Sequence, residues 1–418
     1  VLVLIIGVVV LLNFRQKPSA SVLNLTIWGT DEGRVFKDLT LPYTSGSSKS
    51  KVNYVQIDPS QYKTKLLAAL AAGTGPDIFE IGNRDLEQWQ NVLAPLPAVN
   101  AAQFNLISLE NDYPSVVEQD FTTDGQIYAL PFSVDTLAMI YNKDIFDSAG
   151  IAFPPKTWDD FQKDVSQLRI LNPQGQITRA GAAIGGSGKS IANSSDIIFL
   201  LMMQNGTQMI ASDGSTANFA TGGASAGENP GLDAFNFYLQ FANAASPYYT
   251  WNDSMGDAVS NFIQGKTAIL FGYKSMLGEI KDKAPFLNMG VAAMPQPTGA
   301  TIFVNYPKYL GLAVPRTGQV AQAWDFVLKL AATEDGESTY AADTGAPPAL
   351  RSLIAANMGD PVLSIFASQA LTARSWRETD AAQIDGIMDQ AIQSVENGSA
   401  DSTRAIQQAQ AAVNAIQL

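Results

Sequence analysis

Between Val22 and Gly82 the chain reads strand, helix, strand, helix, strand, and this order restricts the fold more than any other feature. Val22 to Trp28 (VLNLTIW) alternates apolar and polar residues and breaks at Gly29, the pattern of a half-buried strand. Glu32 to Leu41 is an expected helix, and Lys51 to Ile57 (KVNYVQI) a second strand. Tyr62 to Ala72 (YKTKLLAALAA) is helical and stops at Gly73-Thr74-Gly75-Pro76. Asp77 to Gly82 (DIFEIG) is a third strand. Such alternation belongs to an α/β domain with a largely parallel sheet. Ligands of such sheets bind beyond the carboxyl ends of the strands. That rule points to Trp28–Glu32, Asp58–Tyr62 and Gly82–Asp85.

With 418 residues the chain exceeds a single domain's usual load. Tyr128 to Tyr141 is strand-rich, and Trp158 to Leu168 begins a new helical stretch. Segments 174–190 and 211–231 are rich in Gly, Ser, Thr and Ala and read as loops. Helices are expected over 194–205, 231–243, 254–264, 273–282, 319–332, 349–356 and 381–414. Strands separated by Pro295, Pro297 and Gly299 fill Gly290 to Pro315.

Two absences narrow the chemistry. The chain has no cysteine and no histidine. Disulfides, Cys/His zinc sites, thiolate nucleophiles and Ser-His-Asp triads are therefore excluded. The net charge of −13 disfavours nucleic acid as a partner, because a polyphosphate surface would be repelled. The opening run Val1 to Leu12 is apolar without interruption, and the polar spacer Arg15–Ser21 follows it. Twelve residues are fewer than the about 20 that span a bilayer. The run resembles the apolar core of a secretion signal or, completed upstream, a membrane anchor. The expected location is extracytoplasmic, with residues 1–21 as anchor or signal remnant plus spacer.

Motifs of catalysis fail on context. Gly223-Ala224-Ser225-Ala226-Gly227 matches G-x-S-x-G but lacks a histidine base and a strand-turn-helix setting. Gly188-Lys189-Ser190 resembles the end of a phosphate loop, yet Ala183 stands where the first glycine is required. Ser60-Gln61-Tyr62-Lys63 fits S-x-x-K without its companion motifs. The Asn252–Asp257 carboxylates lack a full calcium-loop pattern and read as a turn and helix cap. No cofactor, no metal and no catalytic residue is expected.

Three stretches carry a resemblance. The first is Leu67 to Ile78 (LAALAAGTGPDI), a helix, a glycine turn and a P-D-I strand start. The second runs from Tyr128-Ala129-Leu130-Pro131-Phe132 through Asp135 to Asp144 (DTLAMIYNKD), and on to Pro154 to Phe161 (PPKTWDDF). The third is Phe262 to Ile269 (FIQGKTAI), followed by Gly311 to Pro315 (GLAVP) and Ala323 to Val327 (AWDFV). In this order they resemble the extracellular solute-binding proteins of ATP-driven (ABC) importers, specifically the sugar-binding family that includes maltose-binding protein. The resemblance implies an α/β two-lobe periplasmic binding protein-like fold of type II. One lobe would be 22–133 plus 299–345, the other 134–294 plus 346–418. Hinges would fall near Ser133–Asp135, Pro295–Thr298 and Gly345–Pro348. The implied function is capture of a carbohydrate in the interlobe cleft and delivery to the importer's membrane subunits. The alternatives are a structural or adhesive surface protein reusing the fold, and an extracellular glycoside-acting enzyme.

A sugar cleft needs carboxylates or amides beside aromatic rings, to bond hydroxyls and to stack on the flat apolar face. Trp28 with Asp31 and Glu32 supplies both within five residues. Asn83, Arg84 and Asp85 follow the third strand, where the resembling family places polar contacts. Asp135 matches that family's hinge carboxylate. Trp251 lies near Tyr248-Tyr249, and Tyr273 follows the Ile269–Gly272 strand where the family has an aromatic residue. Tyr306 begins the returning segment, and Trp376 is placed to close the cleft from the second lobe.

Overall fold

Two five-stranded sheets organise the computed structural model, which describes residues 23–45, 51–221, 227–316 and 319–416. The apolar stretch 1–14, its spacer and Gly223–Ala226 of the G-x-S-x-G match lie outside the described residues.

The first sheet has the strand order Lys51–Gln56, Asn24–Gly29, Ile78–Gly82, Leu310–Ala313, Ala129–Pro131. Its first three strands are parallel, and the last two run antiparallel to their neighbours. Asn24–Gly29 keeps the alternation seen in its sequence, with Leu25 and Ile27 fully buried. Ile78–Ile81 is buried on both faces because it is the middle strand, which explains an almost continuous apolar run. Helix Pro59–Ala71 begins where the Asp58 carboxylate accepts the Ser60 N–H at 2.9 Å, with Pro59 in the first turn. It ends before Gly73, whose φ of 69° a side chain would resist.

The second sheet has the order Met289–Ala292, Ala138–Asn142, Thr267–Gly272, Ile177–Ala182, Ile170–Leu171. Strand Ile177–Ala182 falls inside a segment expected to be loop. Its Gly and Ala content reflects tight packing: a Cβ on Gly181 would sit 2.4 Å from the Val165 carbonyl oxygen. The expected single helix over 381–414 is two helices, Ala381–Glu396 and Ser402–Ile416. They part at Gly398, whose φ is 74°.

Each sheet carries its own apolar core, so the two-lobe α/β architecture is present. Three segments link the lobes. Asp135–Thr136 pairs antiparallel with Pro307–Lys308, and these two form adjacent crossings. The second crossing therefore lies later than Pro295–Thr298. Gln296 is tied to Lys156 and Trp158 of the second lobe, and Val304 and Tyr306 sit in the second core. Leu350 and Ile354, expected in the second lobe, pack in the first core. Helix Leu363–Ala370 lies on the seam, with Phe366 in one core and Ala367 and Ala370 in the other.

Candidate functional site

Between the lobes lies a cavity of about 720 Å³. The strand-end rule accounts for its first-lobe wall. Thr30 and Asp31 follow strand Asn24–Gly29, and Glu80 to Asp85 close the middle strand. The second lobe contributes Asp135, Lys274 and Ser275 near the crossing, and Asp380 and Asp385 about the start of helix Ala381–Glu396.

Arg84 ties the two walls together. Its Nε donates to Glu378 Oε1 at 2.7 Å and its Nη2 to Glu378 Oε2 at 2.5 Å. It also reaches Asp385 at 2.8 Å and Asp196 at 3.3 Å. Burial works against the Arg84 charge, but Glu378 and Asp385 hold the guanidinium protonated well above its ordinary range. Burial pushes Glu378 up to about 8, with the Arg84 charge pulling it back. A second cross-lobe pair, Lys63 to Asp380 at 2.9 Å, stands at the cavity rim.

Glu80 and Asp31 form a carboxyl pair on the first-lobe wall. Glu80 Oε2 accepts the Thr30 N–H at 2.8 Å and the Thr30 hydroxyl at 3.0 Å. Asp31 Oδ2 accepts the Tyr340 hydroxyl at 2.9 Å, and the Tyr62 hydroxyl accepts the Glu80 N–H at 2.9 Å. Burial, then the Asp31 charge, pushes Glu80 up to about 8. Burial also raises Asp31, with the Tyr340 bond opposing it.

Asp135 turns both oxygens to backbone. Oδ1 accepts the N–H groups of Lys274 at 3.0 Å and Thr136 at 2.9 Å, and Oδ2 accepts that of Ser275 at 3.2 Å. It thus caps helix Lys274–Lys283 across the crossing strand. Burial brings it up to about 6 although these bonds favour the carboxylate.

Of the residues singled out in the sequence, Asp31, Asn83, Arg84, Asp85 and Asp135 line the cavity, while the others lie elsewhere. Asn83 is committed within its lobe, donating to Asp120 at 2.9 Å and accepting the Tyr309 N–H at 3.2 Å. Trp28 is half-buried, packs against the first core and does not line the cavity. Glu32 is exposed and pairs with Arg34 at 2.7 Å. Trp251 is wholly buried in the second core, its Nε1 donating to Ser190 Oγ at 3.0 Å. Tyr306 is equally buried, and its hydroxyl has no partner among the described residues. Tyr273 donates to Asp196 at 2.9 Å behind the cavity wall. Trp376 packs edge-on against Phe199, with ring centroids 5.4 Å apart, and borders a smaller cavity of about 140 Å³ behind Arg84.

Sequence reasoning missed Glu80, Lys274, Lys308 and Tyr340 as wall residues. For Glu80 a signal existed: a carboxylate inside an otherwise apolar strand is costly unless the site uses it. Nothing local marked Lys308 or Tyr340. Among the described residues no cluster of three carboxylates could hold a metal ion.

A family model for "Bacterial extracellular solute-binding protein" matches residues 32–337. A Brucella abortus (strain 2308) protein named only as a binding protein is 28% identical over 299 residues, 69% of this chain and 67% of that one. The maltotriose-binding protein of Pyrococcus abyssi (strain GE5 / Orsay) is 23% identical over 273 residues, 63% of this chain and 51% of that protein. Among solved structures, the cyclic alpha-maltosyl-1,6-maltose binding protein of Arthrobacter globiformis matches with a TM-score of 0.77 at 20% identity, covering 95% of this chain and 99% of that one. The sugar-binding protein MalE of Xanthomonas citri also gives 0.77, at 19% identity, covering 94% and 97%. Both structural likenesses bear on the fold. The family match spans well over half the chain, and the protein belongs to the bacterial extracellular solute-binding protein family.

Proposed function

We propose that the protein captures an oligosaccharide in the interlobe cavity and presents it to the membrane subunits of an ABC importer. The observation that carries this reading is a cavity of about 720 Å³ whose two walls come from different lobes and whose polar groups converge at strand ends. That volume lies within the range of small-molecule sites. Carboxyl groups with free oxygens, tyrosine rings and lysines suit hydroxyl-rich rings. The names of similar proteins, which include binders of maltotriose and of a cyclic maltosyl-maltose, support the ligand class. Asp31, Glu80, Tyr62, Lys274 and Tyr340 are the proposed contacts, with Asp135 acting through the hinge. Residues 1–14 are proposed to tether the lobes to the membrane and to add nothing to affinity.

A thermal-shift screen over mono- and oligosaccharides, polyols, sugar phosphates and peptides tests the reading. A ligand that binds only the folded state raises the melting point. Oligosaccharides should raise it and peptides should not; a shift with peptides alone would overturn the proposal. A chain beginning at Val22 should bind as the full chain does.

A further inference from the structure

Two carboxyl groups in the cavity wall are left half-used. Glu80 is only 4% exposed, yet its Oε1 has no hydrogen-bond partner among the described residues, both Thr30 donors being on Oε2. Asp31 likewise accepts Tyr340 on Oδ2, and its Oδ1 has no hydrogen-bond partner among the described residues. Among the described residues no lysine or arginine makes an ion pair with either group. Arg34 pairs with Glu32 at 2.7 Å, Lys63 with Asp380 at 2.9 Å and Lys308 with Asp196 at 3.4 Å, and Lys274, which lines the same cavity with its amino group toward Gly345, pairs with neither carboxyl. Two desolvated carboxyls side by side do not both ionise unless a positive charge joins them. A sugar hydroxyl has a single proton to donate and brings no charge, whereas an ammonium has three donors and brings one. Tyr62 and Tyr340 line the same wall, and Phe132 stacks on Tyr340 with ring centroids 4.8 Å apart. Aromatic rings beside carboxylates attract a cation through their faces. The chain's net charge of −13 favours its approach.

We infer that the cavity selects a sugar carrying a protonated amino group, with the ammonium bound between Asp31 and Glu80 beside Tyr62 and Tyr340. The inference rests on reading the cavity as an oligosaccharide site.

The test is calorimetry on the full chain with matched pairs. Neutral di- and trisaccharides of the maltose, cellobiose and mannobiose linkage types are each set against their 2-amino-2-deoxy counterparts. At least one amino sugar should bind ten times or more tighter than its neutral partner. Asp31→Asn should lower that preference at least tenfold while circular dichroism stays native, and Glu80→Gln should lower it too. Neutral members that bind as tightly as their amino partners in every pair would overturn the inference and leave oligosaccharide capture standing. Binding by no member of either kind would overturn both.

Discussion

Arg84 and Glu378 face each other as a planar two-bond pair across the lobe boundary, at 2.7 and 2.5 Å, and both side chains are almost fully enclosed. Arg84 lies in the turn that follows the middle strand of the first lobe, and Glu378 follows Trp376 of the second core. The pair thus spans the boundary between the two lobes. Buried ion pairs add little net stability compared with apolar packing, but removing one partner is expensive. The geometry therefore matters most for which lobe arrangement is populated.

Arg84→Ala should favour the open arrangement. It leaves the buried Glu378 without its cation and Asp196 with Lys308 as its remaining cation, and opening lets water reach them. Small-angle scattering should show a larger radius of gyration for the ligand-free variant than for the parent protein. The melting point should fall as well, since breaking such a pair costs about 3–5 kcal/mol where the charge stays buried. Equal radii with equal melting points would show that the pair does not hold the lobes.

Asp135→Ala should damage the fold more than a direct ligand contact would. The substitution strips three backbone N–H groups of their acceptor, two of them opening helix Lys274–Lys283. Each lost charge-assisted bond is worth about 1.5–3 kcal/mol before relaxation. Denaturant titration should report a clear loss of stability. A fully stable variant with abolished binding would instead make Asp135 a ligand contact.

The Glu80 carboxyl links stability to pH with a definite sign. Its folded value lies near 8, above the ordinary 4.5, so the folded state holds a proton that the unfolded chain has released. Stability from this group is complete below pH 4.5 and is lost as pH rises through 8. Glu80→Gln keeps an acceptor for Thr30 and removes the titration. The variant should lose less stability than the parent between pH 5 and 8; Glu378, also raised to about 8, leaves part of the slope in place. An unchanged slope would mean that Glu80 is ionised throughout that range.

How much of this was legible in the sequence depended on whether the signal was local. The parallel strands were readable because Leu25 and Ile27 alternate with polar neighbours and Gly73 stops a helix. Asp31, Arg84 and Asp85, which the strand-end rule singles out, line the cavity, since a chain leaving a strand has to place its next residues at the sheet edge. That geometry does not reach Trp28, which is still in the strand and packs against the first core. Trp251 and Tyr306 were misplaced because an aromatic residue in a turn-rich stretch looks the same whether the turn lies over a core or over a cleft. Tyr340 reaches Asp31 from more than 300 positions away, and Arg84 meets Glu378 at a similar separation. Such pairings arise from the lobe arrangement, and no neighbouring residue announces them.

The two tryptophans give the last prediction, because their environments differ although both were expected to face the ligand. Trp251 is fully buried, bonded to Ser190, and packed in the second core. Truncating it removes a large apolar contact, leaves a cavity and takes away the N–H that the Ser190 oxygen accepts, while the Ser190 hydroxyl keeps its bond to Asp253. Core Trp→Ala changes cost about 3–5 kcal/mol. Trp28 is half-buried on the face of an outer strand pair, where solvent can fill what truncation vacates. Trp251→Ala should therefore melt well below Trp28→Ala, and Trp28→Ala should bind oligosaccharide within a few-fold of the parent protein. Thermal melts and calorimetry on the two variants decide this. A Trp28→Ala variant that is stable but loses ligand would put that ring back in the cleft.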